Sequence, residues 1–549
     1  MKSRPGAIES IAEQSFDICV IGGGATGSAC ALDAQLRGFK TVLLDAGDFA
    51  SVTSSTSTKM AHGGVRYLEE AITGLDPKEY AVLKRALHER IHMLRNAPYL
   101  TRTKLFLTPC FSWFQVLYLE VGLKLYDWIA GPDGLERSYF ISRKQALDRM
   151  PALAAEKIVG GVMYADGQFD DARYNLALVK TFAEAGGEPL NYARVTGFYK
   201  DTAGKITGVE VRDQVSRRSF TVYARTFVNA TGPHADALRQ MASPGTRPRM
   251  RTSKGVHILL PLEVLSSEDA MLIPKTDDGR VLFAIPWFGR LLVGTTDDEV
   301  KPDDELYVKS EEVEYLLRYL NKYLERPVAP SQVLSATAGA RPLVSSGKST
   351  DTKKLARDHE VEFDPASGLV SIMGGKWTTH RAMAEDTIDE VQKHIGGASG
   401  PCSTLNHPLV GSEGYSDDYW ETLAAHFGIS EVTARHLAQK FGTRADHVME
   451  LVKSDPFLAE LIVSDALPIL AEVVFAAREE MAATIEDVLA RRTGLQLWSW
   501  KDAIRAAPSV GALLGRELGW RDEQTRTAVD DYVAKIRDFM QKSGIGLPQ

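Results

Sequence analysis

The feature that most constrains this chain is its opening unit, residues 16–45, which predicts an apolar strand, a glycine turn, a helix and a second strand. Gly22, Gly24 and Gly27 form the pattern G-x-G-x-x-G between the first strand and the helix. In this pattern the first glycine permits a tight turn, the second lets the backbone approach a pyrophosphate, and the third lets helix and strand pack closely. Asp45 ends the second strand, where an acid accepts from a ribose hydroxyl. The unit therefore predicts a dinucleotide-binding fold.

The size and charge of the chain limit its architecture and its partners. Its 549 residues exceed one ordinary domain and indicate roughly three or four units. Hydrophobic residues at 44% and charged residues at 25% are typical of a globular protein. The net charge of -8 argues against general nucleic-acid binding, because such binding needs a basic surface.

Cysteine usage and hydropathy indicate the compartment. The cysteines form no C-x-x-C pair and no zinc spacing, and they predict buried thiols in a reducing compartment. The N-terminal residues lack the apolar stretch of a signal peptide. No apolar run reaches the roughly 18 residues that a transmembrane helix requires. We therefore expect a protein that does not span a membrane, and attachment to a membrane surface stays open. The cysteines are Cys19, Cys30, Cys110 and Cys402.

Composition and periodicity predict interleaved domains. A strand-like run at 220–232 ends in a second glycine turn and indicates a return to the nucleotide-binding sheet. A change to Gly, Ser, Pro and Asn at 396–416 marks a boundary. The predicted fold class is α/β, with a Rossmann-type nucleotide-binding domain interleaved with a mixed-sheet α+β substrate domain, followed by an all-α C-terminal domain. Within residues 1–400 the nucleotide-binding segments are approximately 14–100, 160–240 and 335–395, the substrate-domain segments are approximately 101–159 and 241–334, and the α-helical domain is 412–549.

The C-terminal domain shows helical spacing in most of its length, without an internal repeat. The predicted helices include 429–441, 457–466, 469–481 and 525–541.

Three segments allow more than one interpretation. Residues 51–58, SVTSSTST, suit a flexible linker or a row of hydrogen-bonding hydroxyls, and their place just after the second strand favours the hydroxyls. Residues 105–130 contain seven aromatic side chains and few charges, which is typical of a core helix pair or of an interfacial segment with aromatic anchors. His88 and His92 match the H-E-x-x-H pattern of zinc sites. The charged helix around them favours a solvated face, and we expect no metal.

Seven blocks of sequence, in order along the chain, carry a family resemblance. The chain resembles the flavin-dependent, membrane-associated glycerol-3-phosphate dehydrogenases, within the wider group of glycine-oxidase-like flavoproteins. The last block of that family commonly reads KWTTYR, whereas this chain has His380 in place of the tyrosine. The blocks are GGGATG at 22–27, SSTSTKMAHGGVRYLE at 54–69, NATGP at 229–233, KGVHILLP at 254–261, LLVGTTDDE at 291–299, ATAGARPLV at 336–344 and GGKWTTHRAMAEDTID at 374–389.

The resemblance implies FAD as the cofactor and assigns residues to it. The three turn glycines and the acid after the second strand belong to this set on both the physical and the family argument. The remaining members are carried over by position in the blocks or, for Val195, as a backbone contact on the adenine side. The cofactor-binding residues so expected are Gly22, Gly24, Gly27, Asp45, Ser54, Ser55, Lys59, Val195, Ala230, Gly232, Gly375, Lys376 and Thr378.

Oxidation of a phosphorylated secondary alcohol requires a hydride acceptor, a base for the hydroxyl proton and cations for the phosphate. His257 lies in an apolar run, where a lone histidine is ordinarily a satisfied core residue, and the resemblance implies that it is the base. By resemblance Arg66, Arg341 and Lys376 hold the substrate, with Tyr67 beside Arg66 as a hydroxyl donor. Arg341 and His257 are the residues expected to be catalytic.

The resemblance implies oxidation of sn-glycerol 3-phosphate to dihydroxyacetone phosphate by FAD, with electrons passed to a membrane quinone. It implies a cytoplasmic location, peripheral on the inner face of the cytoplasmic membrane, and leaves a homodimer open. A soluble glycerol-3-phosphate oxidase that reduces O2 to H2O2 is one alternative. A flavin-stabilised scaffold with a partner-binding helical tail is another, and the intact set of cations and histidine argues against it. The sequence has no D-x-[DN]-x-[DN]-G loop, so calcium binding is not expected.

Overall fold

The computed structural model describes residues 1–64, 77–131, 134–302, 304–345, 359–396 and 400–546. Two β-sheets, helices that cover them and a helical C-terminal domain make up this part of the chain. In chain order the strands are β1 Ser15–Ile21, β2 Thr41–Leu44, β3 Met60–Ala61, β4 Thr101–Cys110, β5 Tyr139–Ser142, β6 Gly160–Phe169, β7 Glu188–Leu190, β8 Ala193–Lys200, β9 Ile206–Asp213, β10 Ser219–Asn229, β11 Met250–Pro261, β12 Ala270–Ile273, β13 Leu282–Trp287, β14 Arg290–Gly294, β15 Asp298–Val300, β16 Ser335–Val344, β17 His359–Phe363 and β18 Leu369–Gly374.

The α-helices lie on both faces of the first sheet and dominate the last quarter of the chain. In the same order they are α1 Arg4–Ala12, α2 Ala25–Leu36, α3 Pro77–Asn96, α4 Trp113–Ala130, α5 Arg143–Arg149, α6 Asp171–Glu184, α7 Ala235–Ala242, α8 Ser310–Asn321, α9 His380–Ile395, α10 Tyr419–Phe427, α11 Glu431–Phe441, α12 Ala445–Ser454, α13 Leu470–Glu479, α14 Leu495–Trp498, α15 Trp500–Leu518 and α16 Asp522–Ser543.

The first sheet is built around the opening unit. Its order is β17-β18-β10-β1-β2-β7, with β9 attached to β10 and β8 to β9. β1 runs parallel to both β2 and β10, and it is buried over most of its length. A parallel strand covered on both faces needs a continuous apolar run, which is what the sequence has there. The predicted strand–turn–helix–strand unit is therefore confirmed as the centre of this sheet.

The second sheet is mixed and mostly antiparallel. Its order is β15-β11-β14-β13-β12-β4-β6-β3, with β16 also pairing with β11 and β5 with β6. β16 pairs with β11 along its whole length, and β6 pairs with β4 over ten positions. The nucleotide-binding segments predicted at 160–240 and 335–395 therefore begin with strands of the second sheet. Backbone hydrogen bonds place β6 and β16 there.

The C-terminal domain is helical, as the sequence predicts, and with the two sheets it confirms the fold class. The helices expected at 429–441, 469–481 and 525–541 correspond to α11, α13 and α16. The helix expected at 457–466 is wrong: a 3-10 turn at Pro456–Ala459 gives way to irregular backbone. Pro456 suits the first turn of a helix, but Pro468, just beyond this stretch, cannot donate the backbone hydrogen bond that a helix continuing through it would need. A π-helix, Asp487–Arg492, follows α13.

The aromatic stretch at 105–130 divides between two elements. Its first residues complete β4, and α4 begins after Ser112, whose side chain accepts a hydrogen bond from the Gln115 amide. The stretch is therefore a strand followed by one helix rather than a helix pair. Across the part of the chain described above, we find no helix with the length and hydropathy needed to cross a bilayer.

Buried ion pairs join the C-terminal domain to the first half of the chain. Arg173 of α6 donates to Glu480 at 2.8 Å, and Lys440 of α11 donates to Asp170 at 2.8 Å. Burial alone would raise the pKa of the Glu480 carboxyl, but Arg173, Lys180 and Arg492 together hold that pKa below its ordinary value. The interface therefore depends on charges that have lost their water and that must stay paired.

We expect Glu480→Gln to lower the free energy of unfolding by about 3–5 kcal/mol, because it leaves the buried Arg173 without its anionic partner. Guanidinium titration followed by circular dichroism measures the change. Glu431→Gln is the matched control, because Glu431 pairs with Arg435 on an exposed helix face and such pairs contribute about 0–1 kcal/mol. Equal stability of the two variants would contradict this view of the interface.

Candidate active site

The glycine turn after β1 brings three backbone segments into close contact. Gly22 has φ +110°, and a Cβ there would lie 2.5 Å from the carbonyl oxygen of Ala230. A Cβ on Gly27 would lie 1.7 Å from the carbonyl oxygen of Gly22. Both positions therefore require glycine. Because α2 begins directly after Gly24, its N-terminus lies at this turn, where a helix dipole favours a phosphate.

Asp45 lies beside the same turn. Its carboxylate accepts hydrogen bonds from the amide of Gly23 at 2.5 Å and from the amide of Gly47 at 2.8 Å. Burial raises the pKa of Asp45 to about 6, while these two donors act to lower it. The acid that the sequence pattern assigns to a ribose thus lies next to the turn that the same pattern assigns to a pyrophosphate.

The hydroxyl-rich segment, residues 51–58, connects the N-terminus of α2 to the second sheet. Ser54 Oγ accepts from the first amide of α2, that of Ala25, at 2.9 Å. Trp377 Nε1 donates to the Ser54 carbonyl at 2.9 Å. Thr53 Oγ1 donates to the carbonyl of Ala340 in β16 at 2.7 Å. Of the two interpretations of this segment, the row of hydrogen-bonding hydroxyls is confirmed.

His257 and Arg341 lie on one face of the second sheet. In the antiparallel pair β11–β16, His257 is opposite Thr337 and Arg341 is opposite Ser253. Between them Gly255 is opposite Gly339, so all of these positions share a face of the sheet. A Cβ on Gly255 would lie 2.2 Å from Arg341 Nη2, and one on Gly339 would lie 2.1 Å from the hydroxyl of Thr56. The two glycines therefore make the space in which the larger side chains fit.

The imidazole of His257 is buried and oriented by a threonine. Its Nε2 lies 3.0 Å from the hydroxyl of Thr58. A Cβ on Gly294, the neighbour of His257 in β14, would lie 2.2 Å from the ring, so that side has no room for a side chain. Burial, followed by the positive charges of Arg341 and Lys59, lowers the pKa of His257 to about 3. The ring is therefore neutral at physiological pH.

The guanidinium of Arg341 is held at one edge by the loop after β14. Nη2 donates to Thr295 Oγ1 at 2.8 Å and to the Thr296 carbonyl at 3.1 Å. Nη1 lies 3.4 Å from Asp297 Oδ1 and 3.4 Å from Ser253 Oγ. The Arg341 side chain is about a quarter exposed, so part of it remains accessible.

Lys59, one of the residues expected to contact the cofactor, forms a buried ion pair instead. Its ammonium group forms an ion pair with Asp171 and donates to the Ser55 carbonyl at 2.9 Å. The side chain is almost fully buried, so its charge is directed into the protein. The amide of Ser57 donates to the same aspartate at 2.9 Å. Lys59 and Asp171 therefore fix the end of the hydroxyl-rich segment just beyond Thr58.

The last block of the resemblance packs against this segment. Lys376 precedes a 3-10 helix, Trp377–Thr379, that leads into α9. Thr378 Oγ1 accepts from the amide of His62 at 3.2 Å. Gly375 has φ +83°, and a Cβ there would lie 2.3 Å from Met383 Sδ. The cofactor roles of Gly375, Lys376 and Thr378 stay predictions from the resemblance.

The remaining assigned residues divide into two groups. Gly232 begins a 3-10 turn at the end of β10, close to Ala230, and Val195 is a buried residue of β8. Arg66 and Tyr67, assigned to the substrate, lie outside the described residues. Their roles stay predictions from the resemblance.

His380, which replaces the usual tyrosine, is buried away from β11 and β16. Its ring lies edge-on to Tyr174 and Trp377, and it lines a small cavity between α2, α3, α6 and α9. Burial lowers its pKa to about 4. The substitution therefore changes helix packing behind the turn rather than the face that carries His257.

The H-E-x-x-H pattern lies on α3. His88 Nε2 and His92 Nε2 are 3.3 Å apart, and the two rings meet edge to face. Within the described ranges no group of three or more metal-ligating side chains comes together.

Comparisons with known proteins place this geometry in a family. A family model described as FAD dependent oxidoreductase matches residues 17–389, and one described as the C-terminal domain of alpha-glycerophosphate oxidase matches residues 402–525. The chain is 40% identical to human mitochondrial glycerol-3-phosphate dehydrogenase over 528 residues, which cover 93% of this chain and 72% of that protein. It belongs to the FAD-dependent glycerol-3-phosphate dehydrogenase family. The resemblance seen in the seven blocks is confirmed.

Other relatives agree over nearly the full chain. The glycerol-3-phosphate dehydrogenase SDP6 of Arabidopsis thaliana is 37% identical over 557 residues, covering 97% of this chain and 87% of the plant protein. The structure of the Bacillus halodurans glycerol-3-phosphate dehydrogenase complexed with FAD has a TM-score of 0.79 and 29% identity, covering 98% of this chain and 97% of that one. This family member is therefore an enzyme with FAD as its cofactor. The glycines of the turn, which leave no room for side chains, and the adjacent helix N-terminus and acid suit FAD.

Three side chains important to this site were not anticipated from the sequence. Thr58 orients His257, Thr295 holds Arg341, and Asp171 anchors Lys59. Thr58 and Thr295 both lie inside blocks of the resemblance, which is the signal that could have identified them. Asp171 lies outside every block, and only its position in the folded chain reveals its role.

The depressed pKa of His257 predicts a pH dependence of stability. The unfolded chain takes up a proton at this residue below about pH 6.5, whereas the folded chain does so only near pH 3. Stability is therefore lost as pH falls from about 6.5, by about 2 kcal/mol at pH 5.

Between pH 7 and pH 5, the free energy of unfolding of the wild type should fall by about 2 kcal/mol more than that of His257→Gln, because the variant lacks the buried imidazole. Guanidinium titrations at both pH values measure this difference. The exposed His447 provides the control, because His447→Gln keeps the buried imidazole. Equal pH dependence in the His257 variant and the wild type would show that the ring titrates normally.

Proposed function

We propose that this enzyme oxidises sn-glycerol 3-phosphate to dihydroxyacetone phosphate and passes the electrons to a membrane quinone. The observation that carries the proposal is the shared face of β11 and β16, where a neutral buried histidine and an arginine lie on the same side of the sheet. The names of the relatives in human and Arabidopsis thaliana support the substrate and the reaction.

The substrate phosphate binds through cations. Arg341 presents a guanidinium whose far edge is already held by Thr295 and Thr296, so its orientation is set before the substrate arrives. Charge-assisted hydrogen bonds of this kind are roughly twice as strong as neutral ones. Arg66 and Lys376 join it on the argument from the family blocks. Because Arg341 and His257 share one face of the sheet, we place the glycerol part beside that face, with its phosphate towards Arg341 and its hydroxyl towards His257.

The hydroxyl proton of the substrate goes to His257. Its Nε2 is the atom at the tip of the ring, and Thr58 fixes the direction of that tip. A neutral imidazole is the form that accepts a proton, and burial near two cations keeps this ring neutral while also making it a weaker base. FAD, when bound, supplies the hydride acceptor. General base catalysis of this type commonly contributes about 10²- to 10⁴-fold.

A membrane surface is the second partner we propose, through one face of α4. Trp113, Phe114 and Trp128 are 64%, 77% and 72% exposed, and Leu117 and Val121 lie exposed among them. The opposite face of the helix is buried. A contiguous apolar face with tryptophans suits the interfacial region of a bilayer, where indole rings have one apolar and one polar side. We infer a peripheral position on the inner face of the cytoplasmic membrane.

The exposed face of α4 is linked to the active-site segment through its buried side. Tyr126 accepts a hydrogen bond from the amide of Gly63 at 2.9 Å and donates to Asp166 at 3.0 Å. Gly63 lies in the block that begins with the hydroxyl-rich segment. The lipid-facing helix is therefore adjacent to the site of oxidation, which favours a membrane quinone over O2 as the acceptor.

Anaerobic reduction of the purified holoenzyme tests the proposed reaction. Glycerol 3-phosphate should bleach the flavin absorbance rapidly, and a soluble quinone analogue should restore it faster than air does. Rapid recovery in air with release of hydrogen peroxide would identify an oxidase instead. A flavin band that does not bleach would overturn the substrate assignment.

Arg341→Ala should lower kcat/KM in that assay by about 10- to 150-fold, because a charged hydrogen bond to the phosphate contributes roughly 1.5–3 kcal/mol. Arg249→Ala is the control, since Arg249 pairs with Glu360 and Glu362 away from the shared face. Loss of activity in both variants, or in neither, would remove Arg341 from substrate binding.

Vesicle sedimentation tests the membrane contact. The double variant Phe114→Ser, Val121→Ser should bind phosphatidylcholine vesicles at least about tenfold more weakly than the wild type, because two apolar side chains no longer enter the bilayer. Val432→Ser, Phe457→Ser is the matched control, because these side chains are 60% and 54% exposed on the C-terminal domain. Equal binding of all three proteins would show that α4 does not contact lipid.

A further inference from the structure

The loop after β2 carries two acids with different surroundings. Asp45 lies at the glycine turn, and its carbonyl accepts from the amide of Ala193 at 2.6 Å. The carbonyl of Gly47 accepts from the amide of Tyr192 at 2.7 Å. Asp48, three residues beyond Asp45, turns the other way and is fully buried. The position of Asp45, the acid assigned to the ribose, thus depends on the contacts that the buried Asp48 makes on the other side of the loop.

Two consecutive arginines of the C-terminal domain hold Asp48. Arg491 Nε donates to its Oδ2 at 2.6 Å, and Arg492 Nη2 donates to its Oδ1 at 2.9 Å. A second nitrogen of Arg492, Nη1, also donates to Oδ2. Asn191 completes the set at 3.0 Å. Both arginines belong to the π-helix Asp487–Arg492, so the C-terminal domain reaches directly to the back of the loop.

The same π-helix also fixes the neighbouring backbone. Tyr192 has φ +55°, a left-handed conformation that is uncommon for a bulky residue. Its hydroxyl donates to Asp487 Oδ1 at 2.7 Å, and Arg491 donates to the same oxygen at 2.5 Å. A π-helix and a left-handed tyrosine are each costly conformations that cluster at functional sites. Here they meet at the loop that carries Asp45.

Stability alone does not account for this cluster. Replacing a buried ion pair with apolar residues of similar volume is often neutral or stabilising, because desolvation offsets the attraction between the charges. The cluster contains Asp48, Asp487, Arg491 and Arg492, all buried. This cluster instead holds the loop in one conformation, because each carboxylate oxygen of Asp48 accepts a hydrogen bond from a defined donor.

We propose that Arg491 and Arg492 are positioning residues for FAD: by fixing Asp48 they hold the Asp45 loop in the conformation that binds the adenosine ribose. Docking of the C-terminal domain and binding of FAD are then coupled, and each strengthens the other. The inference rests on FAD binding and on the assignment of Asp45 to the ribose. It does not depend on the substrate or on the electron acceptor.

Titration of apoprotein with FAD, followed by flavin fluorescence, tests the proposal. Arg492→Lys keeps the positive charge but loses the two-nitrogen contact with Asp48. We expect its Kd for FAD to rise by about 5- to 150-fold, the usual range for coupling between two sites. With FAD saturating, its KM for glycerol 3-phosphate should equal that of the wild type, because the loop lies behind the nucleotide.

Glu472→Gln is the matched control. Glu472 pairs with His436 at 2.8 Å, and both are buried inside the C-terminal domain without contact to Asp48. This variant weakens the same domain, so its thermal midpoint should fall while its Kd for FAD stays that of the wild type. A Kd that rises equally in Glu472→Gln and Arg492→Lys would reduce the effect to general destabilisation and overturn the proposal.

Tyr192→Phe decides the matter if Arg492→Lys does not fold. It removes only the hydroxyl that contacts Asp487, and we expect a Kd for FAD about 3- to 10-fold above that of the wild type. In the wild type, amide hydrogen exchange of residues 483–495 should be slower with FAD than without it, as reciprocal coupling requires. Unchanged exchange, or a Kd for Tyr192→Phe within about twofold of the wild type, would overturn the proposal.

Discussion

The arrangement of the whole site depends on the hydroxyl-rich segment, which is hydrogen-bonded both to the N-terminus of α2 and to the second sheet. Ser54 binds the first amide of α2, Thr53 binds β16, and Thr58 contacts His257. The buried pair of Lys59 and Asp171 fixes the end of this segment. Because these contacts involve neighbouring residues, a shift of the segment would disturb the nucleotide turn and the substrate face together. These short side chains therefore fix the nucleotide turn and the substrate face relative to each other.

The parts of the fold that the sequence predicts well are those governed by local physics. The opening unit follows from glycine sterics and an apolar run, and α11, α13 and α16 follow from helical periodicity. The membership of β6 and β16 in the second sheet could not be predicted, because strand pairing is set by partners far along the chain. For the same reason periodicity alone left the exposure of α4 open.

The site shows the same division. The glycines, Asp45, His257 and Arg341 stand out in the sequence through their motif or their block, and the structure brings the last two onto one face. Their supporting residues carry weaker signals. The sequence favours hydrogen-bonding hydroxyls at 51–58, but it does not show that Thr58 is the one beside His257 Nε2. Arg491 and Arg492 look like ordinary helix-surface cations, and only the fold shows that both are buried on one carboxylate.

The distance along the chain between Asp48 and its arginines has a consequence for how the protein matures. The partners are separated by 443 and 444 residues. Synthesis proceeds from the N-terminus, so β1, α2 and β2 exist long before the π-helix leaves the ribosome. Throughout that interval Asp48 keeps its water, and the loop behind the nucleotide remains unlocked. The nucleotide-binding unit near the start of the chain is thus completed by a contact from the C-terminal domain, and on our proposal we expect tight FAD binding only after the π-helix has been synthesised.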